Sequence, residues 1–198
     1  MNAKLKGAIY GVVSAVSYGT NPLGALFLYK QGLNTNSVLF YRFSIAAILL
    51  AGLMMMQKKS FAVSKKDLLI ISALGVLFGI SSLSLFTSFH FMDAGVASTI
   101  LFVYPVMVAV IMAVFFKEKL STITIMSIVL ALAGIALLYK GDGDSNLSTI
   151  GIALVMVSSL AYAIYIIIVN KSSLAMSSVK LTFFVLLFCV MTIVIHSF

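Results

Sequence analysis

Two short sets of hydroxyl and aromatic residues are the best candidates for chemistry in this sequence. Ser14, Tyr18 and Asn21 form one, and Ser158, Tyr162 and Tyr165 form the other. At about 100° per helical residue each set falls within roughly 60° of arc, so each presents one polar, uncharged face. A shift of 144 positions lays Gly7, Ser14 and Tyr18 over Gly151, Ser158 and Tyr162, and one gap later Phe40 falls over Phe183. A cavity lined by such hydroxyls and rings suits neutral, zwitterionic or amphipathic solutes better than highly charged ones. The competing reading is local: serines bond back to their own helix, and tyrosines pack or anchor at an interface.

Two prolines accompany these faces. Pro22 follows Asn21 directly, and because proline removes a backbone donor and clashes with the preceding turn, the pair predicts a kink or unwinding there. Freed carbonyls at membrane depth are tolerated only where protein or water satisfies them, which is why broken helices tend to line transporter cavities. Asn21 then either lines a cavity or supports the kink. Tyr104-Pro105 is the second such break, with a purely structural kink as its alternative.

The acids are informative by position. Asp67, Asp93, Glu118, Asp142 and Asp144 all sit at ends of apolar runs or between them. An embedded carboxylate is the usual device for exchanging a proton against a cation, so this pattern argues against that form of antiport. His90, near the outer end of an apolar run, is a weaker candidate for coupling than for an interfacial role. Arg42 has three candidate partners: a lipid headgroup, a carbonyl or an anionic solute group. Glu118, between Lys117 and Lys119, reads as end-of-helix electrostatics, and the single Cys189 as a small buried hydrophobe. No phosphate loop, metal cluster, nucleophile triad or haem motif is present, so no catalytic residue, metal or cofactor is expected.

Helices must carry these residues. Of 198 residues, 62% are hydrophobic and 9% charged, with a mean hydropathy of +1.19. Soluble domains carry roughly a quarter charged residues, so the solvent of this chain is lipid. A bilayer core of about 30 Å needs roughly 20 helical residues. Seven apolar runs answer that need: Gly7 to Leu28, Ser37 to Met56, Leu68 to Phe89, Val96 to Phe116, Thr122 to Tyr139, Ile150 to Val169 and Val179 to Phe198. They are continuous and about twice the length of outer-membrane strands, which predicts an all-α integral membrane protein. The first run is too long for a cleaved signal and reads as a retained helix.

The net charge of +8 would suggest nucleic acid in a soluble protein, but here it sets orientation, and no nucleic-acid partner is expected. With the N-terminus cytoplasmic, Lys4, Lys6, Lys58, Lys59, Lys65, Lys66, Lys117, Lys119, Lys171 and Lys180 fall inside, ten of the thirteen basic residues. The Gly-Asp-Gly-Asp stretch at 141–144 marks the best internal boundary, dividing residues 1–141 from 142–198. Equivalent points of the two parts are five spans apart. Because five is odd, the second part inserts upside down relative to the first. Small residues at Gly7, Gly11, Ala15 and Gly19, and at Gly75 and Gly79, predict close helix packing.

Several motifs then resemble a known pattern. The stretch from Ala94 to Ser121, with Pro105 in mid-helix and Glu118 at the cytoplasmic end, resembles the fourth helix of the EamA repeat of drug/metabolite transporters. Gly134 to Leu138 resembles the close of its fifth helix, and Tyr41-Arg42-Phe43 the aromatic-flanked arginine of its second. The resemblance implies a five-helix repeat over residues 1–141 and the first two helices of an inverted second repeat over 142–198. Members of that family have about ten helices, so three more would be expected.

The function that follows is a secondary transporter or exporter in the cell (inner) membrane, moving amino acids, metabolites or drugs through a cavity between the repeats. Ser14, Tyr18, Asn21, Tyr104, Ser158, Tyr162 and Tyr165 would meet the solute, with Pro22 and Pro105 as the helix breaks. The rival reading is a non-transporting membrane interaction subunit, with proton-coupled cation efflux as the third. A cavity left open by missing helices can also be closed by a second copy in a homodimer.

Overall fold

The computed structural model describes residues 3–118, 121–141, 148–172, 174 and 176–197. All regular structure among them is helical: α1 (Ala3–Gly19), α2 (Asn21–Lys30), α3 (Thr35–Met56), α4 (Lys65–Ser88), α5 (Ala94–Leu101), α6 (Tyr104–Phe116), α7 (Thr122–Gly141), α8 (Thr149–Lys171) and α9 (Ser178–Ser197). Against the seven apolar runs of the sequence, five helical segments have the length and hydropathy that a crossing needs. These are α3, α4, α5 and α6 together, α8 and α9. The first run is divided between α1 and α2, and the apolar stretch of α7, Thr122–Gly134, is shorter. The chain is a multi-pass membrane protein. The 142–147 boundary with Asp142 and Asp144, together with Lys119 and Phe198, lies outside the described residues.

Local chemistry sets the helix ends. The Asn34 side chain accepts the Ser37 amide at 2.8 Å, Ser64 accepts that of Asp67 at 3.1 Å, and Asp93 accepts those of Gly95 and Val96 at 2.8 and 3.0 Å. Each oxygen satisfies an amide that has no partner within its own first turn. The two breaks fall where the prolines require them. Pro22 stands in the first turn of α2, just after the α1–α2 junction at Thr20, and Pro105 in the first turn of α6, just after α5 closes at Phe102 and Val103.

Packing centres on α4, which lies between α8 and α9, while α9 also packs along α3; α5 and α6 flank α8. Gly75 and Gly79 make the α4–α9 approach possible. A Cβ on Gly75 would collide with the Phe188 side chain and stand 2.9 Å from the Val185 carbonyl, and one on Gly79 would lie 3.0 Å from Thr192. The sequence expectation of close packing holds there. It fails on α1: a Cβ on Gly7, Gly11 or Gly19 would meet nothing within 4 Å, and every residue from Gly7 to Thr20 is exposed. The stripe is present, but among the described residues nothing comes within contact of these glycine positions.

Direction alternates between the crossing segments. Met92, just past the end of α4, lies against Gly151 at the start of α8. At the opposite end Lys180 donates to the Ala62 carbonyl at 2.6 Å, and Lys171 pairs with Glu118 at 2.8 Å. Lys58, Lys59, Lys65, Lys66, Lys117, Lys171 and Lys180 therefore share one end of the bundle. Lys30 is at the other.

Candidate functional site

The polar face on α8 gathers an aromatic cluster through its tyrosines. Tyr162 and Tyr165 are three residues apart on α8, so they share a face, and their rings stack with centroids 5.7 Å apart. Tyr104, placed by the Pro105 break at the start of α6, meets Tyr162 edge-on at 4.7 Å. Tyr18, in the last turn of α1, is 48% exposed, and among the described residues it makes no ring contact with this group. Phe78, in the middle of α4, completes the group at 5.6 Å from Tyr165 and 6.5 Å from Tyr162. Tyr104, Tyr162 and Tyr165 are half-buried, so the cluster is not sealed from its surroundings. Its rings touch one another directly. The grooves along α3 and α9 lie elsewhere, one of about 340 Å³ at Asn34, Phe40 and Ser197 and an apolar one of about 220 Å³ at Ala47, Phe183 and Val190.

The serines are placed differently. Ser158 is fully enclosed, donates to the Ser81 carbonyl at 2.7 Å and shares a 3.0 Å hydrogen bond with the Ser81 hydroxyl, so it joins α8 to α4. Its neighbour Ser159 repairs the proline break. Pro105 has no amide with which to reach the Leu101 carbonyl, and the Ser159 hydroxyl bonds that carbonyl at 3.3 Å. Sequence reasoning did not single out Ser159 or Phe78; the signal for Ser159 was its place opposite a proline break, which no local pattern reveals. On α1, Ser14 is exposed one turn before Tyr18, and Asn21, the first residue of α2, is half-buried.

Arg42 lies with its guanidinium carbon 5.5 Å from the Phe43 ring centroid and 5.3 Å from that of Phe86. His90 is stacked on Tyr29 at 4.5 Å, and its Nε2 is 3.0 Å from the Thr35 hydroxyl, which in turn lies 3.1 Å from the Tyr29 hydroxyl. Glu118 is engaged by Lys171, whose ammonium also stands 4.8 Å from the Phe116 ring. Cys189, on α9, is fully buried in the main hydrophobic core. Among the described residues no group of three or more histidine, cysteine or acidic side chains is gathered as a metal site would be.

The EamA-like transporter family matches residues 5–140, from α1 through almost all of α7. This chain belongs to the EamA-like transporter family. Similar relatives share the transporter description. An uncharacterized transporter of Archaeoglobus fulgidus is 33% identical over 126 residues, 63% of this chain and 43% of that protein. One of Clostridium kluyveri is 26% identical over 176 residues, 84% of this chain and 56% of that protein, and the uncharacterized transporter YxxF of Bacillus subtilis is 30% identical over 110 residues, 54% and 35%. The chain thus spans about half the length of the relatives it matches. No solved structure matches it. Within the EamA-like match lie α1, the Pro105 break and Tyr104; Tyr162 and Tyr165 come from the part beyond it.

Proposed function

We propose that this EamA-like chain forms the substrate-handling part of a secondary transporter or exporter for small organic solutes, such as amino acids, metabolites or drugs. The observation that carries this reading is the meeting of Tyr104, Tyr162 and Tyr165 from two helices, with Tyr104 beside a helix break. Aromatic rings with hydroxyl tips give a solute apolar contact and a few directional hydrogen bonds. Broken helices next to them supply segments that can tilt without unravelling a whole span. In this reading Ser14 and Asn21 extend the Tyr18 face, and seven spans run as a five-helix repeat followed by two helices of an inverted one. The grouped lysines at one end favour a cytoplasmic N-terminus. A reporter after Lys59 is expected to be cytoplasmic.

Ligand-dependent melting tests the site. Tyr162→Ala should insert normally and lose the thermal shift that a solute gives the parent protein, because a binder stabilises the folded state by mass action. A variant that melts several degrees lower yet keeps the full shift makes Tyr162 a packing residue and sinks the proposal. Asn21→Leu keeps Pro22 and removes the polar head, so lost binding in a well-folded variant separates solute contact from kink support.

A second reading, a membrane interaction subunit that works with another chain or a second copy, is favoured by one observation. The apolar side chains of α1, including Val12, Val13 and Val16, are exposed along its length. Robust solute flux by the purified 198-residue chain as a monomer in liposomes would remove it.

A further inference from the structure

Arg42 is the cation that the fold places furthest from either helix end it could have used. It stands seven residues into α3, roughly 10 Å along the axis from Thr35 at 1.5 Å per residue. A guanidinium carries five donors, and among the described residues none of them is taken by a side chain or a carbonyl. The described acids are placed elsewhere: Asp93 caps α5, Glu118 is paired with Lys171, and Asp67 begins α4 at the lysine-rich end. What Arg42 does have is aromatic support, from Phe43 and Phe86. Ring faces hold a guanidinium by cation–π attraction but leave its in-plane N–H groups open.

That support continues into the tyrosine cluster. Phe43 meets Phe78 at 5.6 Å, and Phe78 meets Tyr165 at 5.6 Å and Tyr162 at 6.5 Å. An intramembrane cation with open donors at one end of an aromatic row matches one kind of ligand: an oxyanion attached to an apolar body.

We propose that Arg42 is the oxyanion-recognition group of this site, taking the carboxylate of a small amphipathic monoanion or zwitterion whose apolar body lies on the Tyr104–Tyr162–Tyr165 rings. The inference rests on the transport reading above and narrows its substrate class. The planar fork of arginine binds a carboxylate through two parallel hydrogen bonds, and low surrounding dielectric strengthens them. One cation balances one anion, which sets polyanions aside. The phosphodiester of an anionic lipid offers the same oxyanion chemistry, reached by the long side chain extending toward the interface.

The test uses the full chain in nanodiscs of phosphatidylcholine, with and without phosphatidylglycerol, and two probes: 3-phenylpropionate and its neutral amide, 3-phenylpropionamide. Because the sequence holds no tryptophan, tyrosine emission reports binding directly. The parent chain should bind the acid about tenfold or more tighter than the amide, as charged hydrogen bonds imply. Arg42→Gln should bind both at the affinity of the amide. Arg42→Lys keeps the charge without the fork; it should melt like the parent and retain only part of the preference, which separates recognition from folding. Equal binding of acid and amide in parent and Arg42→Gln overturns the role of Arg42 and leaves the tyrosine site standing. Failure of both probes to bind overturns the site and this inference with it. If Arg42→Gln differs from the parent only in melting temperature, and only with phosphatidylglycerol present, the partner is a lipid headgroup and the inference is wrong.

Discussion

The α4–α8–α9 bundle with its flanking α5–α6 pair and the α1–α2 segment contain the same two structural devices, glycines at four-residue spacing and a proline break near a tyrosine, yet they use them in opposite ways. In the bundle, Gly75 and Gly79 let α9 approach until an added methyl group would strike its backbone or Thr192. On α1, a Cβ added at Gly7 or Gly11 would meet nothing within 4 Å among the described residues. The Pro105 break is closed by Ser159, a hydroxyl from another helix. At Pro22 the Thr20 hydroxyl bonds the Ser17 carbonyl at 2.9 Å, within its own turn, and no side chain among the described residues takes up the Tyr18 carbonyl. A proline supplies a break; whether the break becomes a fixed joint or a pivot depends on who answers the freed carbonyl.

The largest effect should come from filling the bundle glycine. Gly75→Leu forces α9 away from α4, with a cost of about 3 kcal/mol or loss of folded protein altogether. Gly11→Leu on α1 should stay within about 0.5 kcal/mol. Melting of both variants in detergent checks the pair, and equal damage would mean that α1 packs as tightly as the bundle does.

Ser158→Ala comes next. It removes the donor to the Ser81 carbonyl and leaves the Ser81 hydroxyl without its partner; interhelical hydrogen bonds in membranes place the loss at about 1 kcal/mol. No measurable change would show that the α4–α8 contact rests on shape alone.

A smaller but more diagnostic effect is expected at the repaired break. Ser159→Ala should cost somewhat under about 1 kcal/mol by leaving the Leu101 carbonyl unpaired. In a Pro105→Ala background residue 105 regains an amide for that carbonyl, so the same substitution should cost almost nothing. Additive costs in this double-mutant cycle would break the link between Ser159 and Pro105.

Pro22→Ala should be the mildest, changing stability by no more than about 0.5 kcal/mol, since no tertiary contact depends on the carbonyl it restores. A loss as large as that of Ser158→Ala would erase the contrast between the two breaks.

Features governed by neighbours a few residues away could be read from the chain alone. The apolar runs marked α3, α4, α8 and α9 to within a few residues. Pro22 and Pro105 located the helix breaks, and the three-residue spacing of Tyr162 and Tyr165 put them on one face. Helical geometry, capping oxygens and a missing proline amide act within a turn, so residue order suffices. The rest depended on register between helices far apart in sequence. Nothing local distinguishes Phe78 from the other fourteen phenylalanines, pairs Ser158 with Ser81 across 77 residues, or sets Arg42 between Phe43 and Phe86. The glycine stripe on α1 made the same promise as the one on α4, and among the described residues a partner helix meets the second and not the first. A small residue permits close approach, but which surface arrives is decided by the packing of the whole bundle.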